Sequence, residues 1–104
     1  MRYGFIKAAA VSPALRVADC AFNAENLIEA LRNAHKNGIQ LLCTPELGIT
    51  GYTCGDLFLQ DTLLQGARTA LRTIVCASSG LDPVMLVGLP LAVNQKLYNC
   101  AAVI

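Results

Sequence analysis

Residues 39–56 read IQLLCTPELGITGYTCGD, and the break inside this stretch decides the fold. Ile39 to Cys43 is a short, mostly apolar run between Gly38 and Thr44-Pro45. A run of that length with turn residues at both ends predicts a buried strand. Residues 44–56 then hold three glycines, three threonines and a proline, a composition that predicts a loop. A buried strand that opens into a glycine-rich loop is a common way for an α/β sheet to present chemistry at its carboxyl edge.

Upstream, Asn23 is read as a helix N-cap. Leu27, Ile28, Leu31 and Ala34 follow at helical spacing, with Glu25, Glu29, Arg32 and Lys36 largely facing away. The pattern predicts an amphipathic helix. Lys36-Asn37-Gly38 is a stop signal, with a cation in the last turn and a glycine for the left-handed cap. Before the helix, Leu15 to Ala21 reads as a loop. Tyr3 to Val11 reads as a buried strand ended by Ser12-Pro13. Downstream, Leu64, Ala67, Ala70, Leu71, Ile74 and Val75 form one face of a second helix from Asp61, ended by Ser78-Ser79-Gly80. Pro83 to Gly88 reads as a third buried strand. Leu91–Val93 and Leu97–Ile104 flank an Asn94-Gln95-Lys96 turn as a hairpin. The order β-α-β-α-β-β implies an α/β layered fold. The last strand runs to Ile104 without a closing turn, so the chain is expected to be part of a larger domain.

Composition supports that expectation. Hydrophobic residues make up 55% of the 104 and charged residues 14%, against about 25% charged in an ordinary soluble domain. The surplus apolar surface calls for the rest of a domain or for a homo-oligomer. Net charge is +1 with scattered cations, which argues against nucleic acid as a partner. Apolar runs fall short of the roughly 20 residues of a bilayer span. Lys7 breaks the only stretch resembling a signal peptide, so a cytoplasmic location is expected. The five cysteines (Cys20, Cys43, Cys54, Cys76, Cys100) form no C-x-x-C pair, and the single histidine, His35, lies eight residues from Cys43. Zinc spacing is absent. The thiols read as reduced.

Glu46 is the main candidate for chemistry. Pro45 fixes its own φ and restricts Thr44, which partly sets the carboxylate's direction. Walled off by Leu47, Ile49 and Tyr52, Glu46 would be desolvated, its pKa raised, and suited to act as a general base. It reads equally as a capping or salt-bridging loop residue. Tyr52 could line a pocket or simply pack the loop. Cys54 could attack a substrate only with a base nearby, and its sequence neighbours supply none. His35 reads as solvated or dipole-linked. Gly48, Gly51 and Gly55 read as turn residues with positive φ and form no phosphate cradle.

Pro45-Glu46-Leu47-Gly48-Ile49-Thr50-Gly51-Tyr52 (P-E-L-x-x-T-G-Y) resembles the first signature of the nitrilase, or carbon–nitrogen hydrolase, superfamily. The continuation Thr53–Phe58, with Tyr3–Ala10, Leu15–Cys20, Gly88–Leu91 and Leu97–Ala101, resembles the amidase domain of glutamine-dependent NAD synthetases. The resemblance covers essentially all 104 residues. It implies the N-terminal part of an αββα sandwich and a Glu–Lys–Cys triad that hydrolyses glutamine. Ammonia would then pass to a separate synthetase domain, where ATP and magnesium drive amidation of nicotinic acid adenine dinucleotide. By motif the triad glutamate falls on Glu46 and a pocket tyrosine on Tyr52. No cofactor is expected in residues 1–104 themselves. Lys7, Lys36, Lys96 and the five cysteines match neither the lysine nor the nucleophile motif, so the chain alone is expected to be inactive. Thr44 stands where the family pattern has a bulky apolar residue. Two other readings are a different carbon–nitrogen hydrolase, such as a carbamoyl or aliphatic amidase, and a non-enzymatic self-associating α/β protein.

Overall fold

Two strand–helix–strand units in succession set the architecture. The computed structural model describes residues 4–104; Tyr3, the expected start of the first strand, lies outside them. The elements are β1 (Ala8–Ala10), α1 (Cys20–Lys36), β2 (Leu41–Cys43), a 3-10 helix (Gly55–Leu59), α2 (Asp61–Ala77), β3 (Val84–Val93) and β4 (Lys96–Val103). They form one sheet in the order β1-β2-β3-β4. β1, β2 and β3 are parallel, and β4 is antiparallel to β3. The order β-α-β-α-β-β and the α/β class are as the sequence predicts.

Parallel crossovers are right-handed. Both steps move one strand in the same direction, so both helices land on one face. There Leu27, Leu31 and Ile74 pack over Leu42, Met85, Val87 and Leu89, each at most 2% exposed. The opposite face carries the alternate residues: Leu41, Cys43, Val84, Leu86, Ala101 and Val103. The Pro45–Leu47 segment covers it at Gly88, and elsewhere it is largely open, with Val84 44% and Val103 72% exposed.

Several boundaries differ from expectation. β1 is three residues long, and only Ala9 is partly covered. It is an edge strand paired on one side, so the expected buried strand is instead a peripheral one, with Phe5 and Ile6 exposed. α1 begins at Cys20, inside the expected loop. Its cap is Asp19, whose carboxylate accepts the Phe22 N–H at 3.1 Å. Asn23 lies inside the helix and is 1% exposed. At the other end the Gly38 N–H reaches His35 O and the Ile39 N–H reaches Ala34 O, at 3.2 and 3.0 Å. With Gly38 at φ +70°, this is the expected Schellman stop. α2 buries Leu63, Ala67, Ala70 and Ile74. Its inward stripe is therefore turned from the expected one: Leu63 replaces Leu64, and Val75 faces outward.

β3 runs straight through Pro90 to Val93, where separate strands were expected. The ladder explains why proline is tolerated. Met85 and Ile104 exchange both backbone hydrogen bonds, at 3.0 and 2.9 Å. By alternation the odd residues of β3 bond β4, and the even ones face the other way. Pro90 is even and lies beyond the end of β2, so its missing N–H breaks no ladder bond. The hairpin turn is Asn94-Gln95, both with positive φ, as a two-residue primed turn requires. Lys96 belongs to β4 rather than to the turn.

Asn23 joins three segments. Its Oδ1 accepts the Arg16 N–H, and its Nδ2 donates to Arg16 O and Ile49 O, all at 2.8 Å. Asn23→Ala strands these groups away from water, at about 1–3 kcal/mol per unsatisfied group. Urea unfolding should show a loss of at least about 2 kcal/mol; a loss below about 0.5 kcal/mol would show that the three bonds are replaceable. Gly88 is the other tight point. A Cβ there would run into Leu47 N and would lie 2.9 Å from Pro45 O. Gly88→Ala should cost about 1–3 kcal/mol by overpacking, read as a lower urea midpoint with an unchanged m-value.

Candidate active site

β2 ends at Cys43, and the chain turns at once. Thr44 is fixed from both its groups: its N–H and its hydroxyl donate to Leu86 O at 3.2 and 2.6 Å. A bulky apolar residue at this position could not make the second bond. Gly48 N–H then donates to Pro45 O at 3.1 Å and closes the turn Pro45–Gly48. Leu47, third in that turn, has φ +52°, a conformation usually left to glycine or asparagine. Gly48 does not have the positive φ expected of it; a Cβ there would lie 3.0 Å from Pro45 O. Gly51 and Gly55 do have positive φ, +90° and +57°.

The turn sits directly on β3. Gly88 leaves room for the Pro45–Leu47 backbone, and Gly88 O accepts the Ile49 N–H at 3.2 Å. On its other side the loop is tied to the segment before α1. Ala18 N–H donates to Thr50 O at 2.7 Å, and Asn23 reaches Ile49 O. Gly51 packs so closely that a Cβ would lie 3.4 Å from Val17 Cα. The loop is thus clamped between β3 and the start of α1.

The clamp sends the side chains of the loop in different directions. Ile49 is 0% exposed and enters the core, Leu47 is 8% exposed and lies toward Pro90 and Leu97, and Glu46 is exposed. Tyr52 is 67% exposed. The expected wall of Leu47, Ile49 and Tyr52 around the carboxylate is therefore not formed. Ile49 is in the core, Leu47 lies toward Pro90, and Tyr52 stands in solvent. Glu46 instead lines an open cleft of about 300 Å³ with Cys43, Thr44, Pro45, Gly88 and Asn99. Tyr52 is not part of that cleft. A larger groove of about 590 Å³ runs between β1 and α1, away from Glu46.

Cys54 is buried, and its thiol points to Thr50 O and Gly51 O at 3.2 and 3.4 Å. It holds the loop and faces no cleft. Burial pushes the neighbouring Cys20 thiol up, and Cys54 and Asp19 push it the same way. Neither thiol is placed as a nucleophile. Lys7 Nζ donates to Asn37 O at 2.8 Å, at the far end of α1. His35 Nδ1 accepts the Asp82 N–H at 3.2 Å. Among the described residues no three of His, Cys, Asp and Glu converge as a metal site. Two contributors were missed in the sequence. Asn23 sits within the apolar stripe of α1, and Gly88 interrupts a strand pattern, itself a sign of close backbone approach.

Comparison with known proteins places this geometry. The family model for carbon–nitrogen hydrolase matches residues 7–104. A glutamine-dependent NAD(+) synthetase of Mycobacterium tuberculosis is 38% identical over 103 residues, covering 99% of this chain and 15% of that protein. The crystal structure of a glutamine-dependent NAD(+) synthetase from Cytophaga hutchinsonii superposes with a TM-score of 0.88 at 30% identity, over 95% of this chain and 17% of that one. An amidase from Nesterenkonia sp. shares the fold, with a TM-score of 0.74 at 24% identity, over 99% of this chain and 39% of that one. The chain thus spans about 15% of the length of the curated relatives it matches, and its four-stranded sheet with two helices corresponds to the N-terminal part of the nitrilase fold. With the family model spanning all but the first six residues, the chain belongs to the carbon–nitrogen hydrolase family.

Proposed function

We propose that this chain is the N-terminal part of the glutamine-hydrolysing domain of a glutamine-dependent NAD synthetase, with Glu46 as its general base. The observation that carries the reading is the 38% identity to such a synthetase over 99% of the chain. The placement of Glu46 agrees with the role. It follows the carboxyl end of a parallel strand, where α/β sheets bind ligands, on a turn whose backbone is fixed from two sides. A base must keep its geometry through a reaction cycle, and the clamp provides that.

In this mechanism the carboxylate of Glu46 takes the proton from a cysteine thiol supplied outside residues 1–104. The thiolate attacks the side-chain amide carbon of glutamine, and a lysine, also outside these residues, stabilises the oxyanion. Glu46 returns the proton to the departing nitrogen, which leaves as ammonia, and a thioester remains. Glu46 then deprotonates a water that attacks the thioester, giving glutamate and the free thiol. Tyr52 serves the substrate pocket only if a further segment or subunit closes against it, since it is 67% exposed. Ammonia passes to a synthetase domain, also outside these residues, that uses ATP and magnesium. A cytoplasmic location fits the five free cysteines. No described helix is long and apolar enough to cross a membrane. A homo-oligomer would cover part of the open sheet face.

The test uses the protein translated from the uninterrupted reading frame that carries residues 1–104. It should release ammonia from glutamine. Glu46→Gln should lower kcat by about 10²-fold or more, the usual contribution of a general base. Full activity in Glu46→Gln removes the base from Glu46. Hydrolysis of small aliphatic amides without glutamine assigns the chain to another branch of the family. Residues 1–104 alone should release no ammonia above background.

A further inference from the structure

Asn99 stands between the Glu46 cleft and a neighbouring cavity. This second cavity, of about 230 Å³, is lined by Leu47, Phe58, Pro90, Leu97, Tyr98 and Asn99. Asn99 is the one residue common to both. Its place in the sheet explains why. It is paired with Pro90, and Ala101 beside it is paired with Gly88. With proline and glycine as its closest neighbours across the ladder, no long side chain stands against Asn99, which is exposed on the open face beside the turn seated on Gly88. The rest of that face is apolar: Leu41, Val84, Leu86 and Val103. A carboxamide in such surroundings gains nothing from packing.

The other polar side chains of the cleft are those of Thr44 and Glu46. The Thr44 hydroxyl donates to Leu86 O at 2.6 Å. The Glu46 carboxylate, when ionised, can only accept, and as the base it must receive the nucleophile's proton. Among the described residues that line the cleft Asn99 alone carries a carboxamide, which brings both an acceptor and a donor to the same cleft as Glu46. A substrate amide presents an –NH2 group that needs such an acceptor until it leaves as ammonia.

We propose that Asn99 is the residue that makes this cleft specific for amides, its Oδ1 accepting a hydrogen bond from the –NH2 of the substrate carboxamide. The inference rests on the glutamine-hydrolysing reading. The apolar cavity beyond Asn99 takes the methylene stem of the substrate, with the reacting carbon held on the Glu46 side. A site that pairs with an N–H discriminates against the analogue that lacks it, because its polar group is then left unpaired.

The test compares glutamine with glutamic acid γ-methyl ester, which has no N–H at the reacting group, using the protein from the complete reading frame. Asn99→Leu should lower kcat/KM for glutamine about tenfold, mainly through KM, the scale of one hydrogen bond left unmade. The ester should change by less than about twofold. Asn99→Asp keeps both the size and the acceptor and should retain the preference for the amide. Equal losses on both substrates in Asn99→Leu, or no loss on either, overturn the assignment. Loss of the preference in Asn99→Asp as well overturns the role given to Oδ1. An unaltered protein that hydrolyses neither substrate fails earlier, at the glutamine reading itself, and takes the assignment with it.

Discussion

The chain is organised around one steric fact: the backbone of Pro45–Leu47 lies directly on Gly88, closer than any side chain there would allow. Everything at the site follows from this contact. The turn can rest on β3 only because β3 has no Cβ at that point. β3 has a free edge to offer because β2 stops at Cys43, two residues before the contact begins. The free carbonyls of Leu86 and Gly88 then take up Thr44 and Ile49. The loop thus continues the sheet's hydrogen bonding beyond the end of β2, while its side chains are released from the pleat to point where the turn sends them.

A turn seated on one surface could still rock, and Asn23 removes that freedom. Its carboxamide makes three hydrogen bonds at 2.8 Å to Arg16 and Ile49 from a position that is 1% exposed. A buried amide is tolerated only when it is satisfied in this way. Ala18, at φ +63°, adds its N–H to Thr50 O. Two non-glycine residues in the left-handed region, Ala18 and Leu47, flank the clamp. Each costs on the order of 1 kcal/mol or more, and such strain persists where the surroundings over-determine it. Here the hydrogen bonds on both sides of the loop do so.

These features explain what could be read in the sequence. The class, the element order, the end of α1 at Gly38 and the start of α2 at Asp61 all rest on local signals, which are periodicity, capping and turn chemistry. They were legible. The cap of α1 was not, because Asp19 and Asn23 are both good capping residues and only tertiary contact decides between them. Asn23 follows the apolar stripe into the core, leaving Asp19 at the helix end. β1 was read too long and too buried because apolar composition does not show that a strand will lie at an edge. Pro90 hid the continuity of β3, since its tolerance depends on which side of the ladder its nitrogen faces. At the site, Glu46 was found from its motif and its place after a strand. Its exposure was missed because the contacts of the loop with β3 and the start of α1, which local sequence does not show, decide where Leu47, Ile49 and Tyr52 point. Gly88 and Asn99 lie more than forty residues away and are joined to Glu46 only by the sheet.

The two faces of the sheet divide the labour. The helix side holds the core, with Leu42, Met85, Val87 and Leu89 sealed. The opposite side carries the Glu46 cleft on a floor of small and apolar residues. The Glu46 carboxylate stands exposed beside that floor, with Ile49 turned into the core. The residues described here thus set where the Glu46 carboxylate stands and how firmly its backbone is held. That position depends on a residue of β3 rather than on the loop alone, so a substitution at Gly88 moves the carboxylate without touching its chemistry.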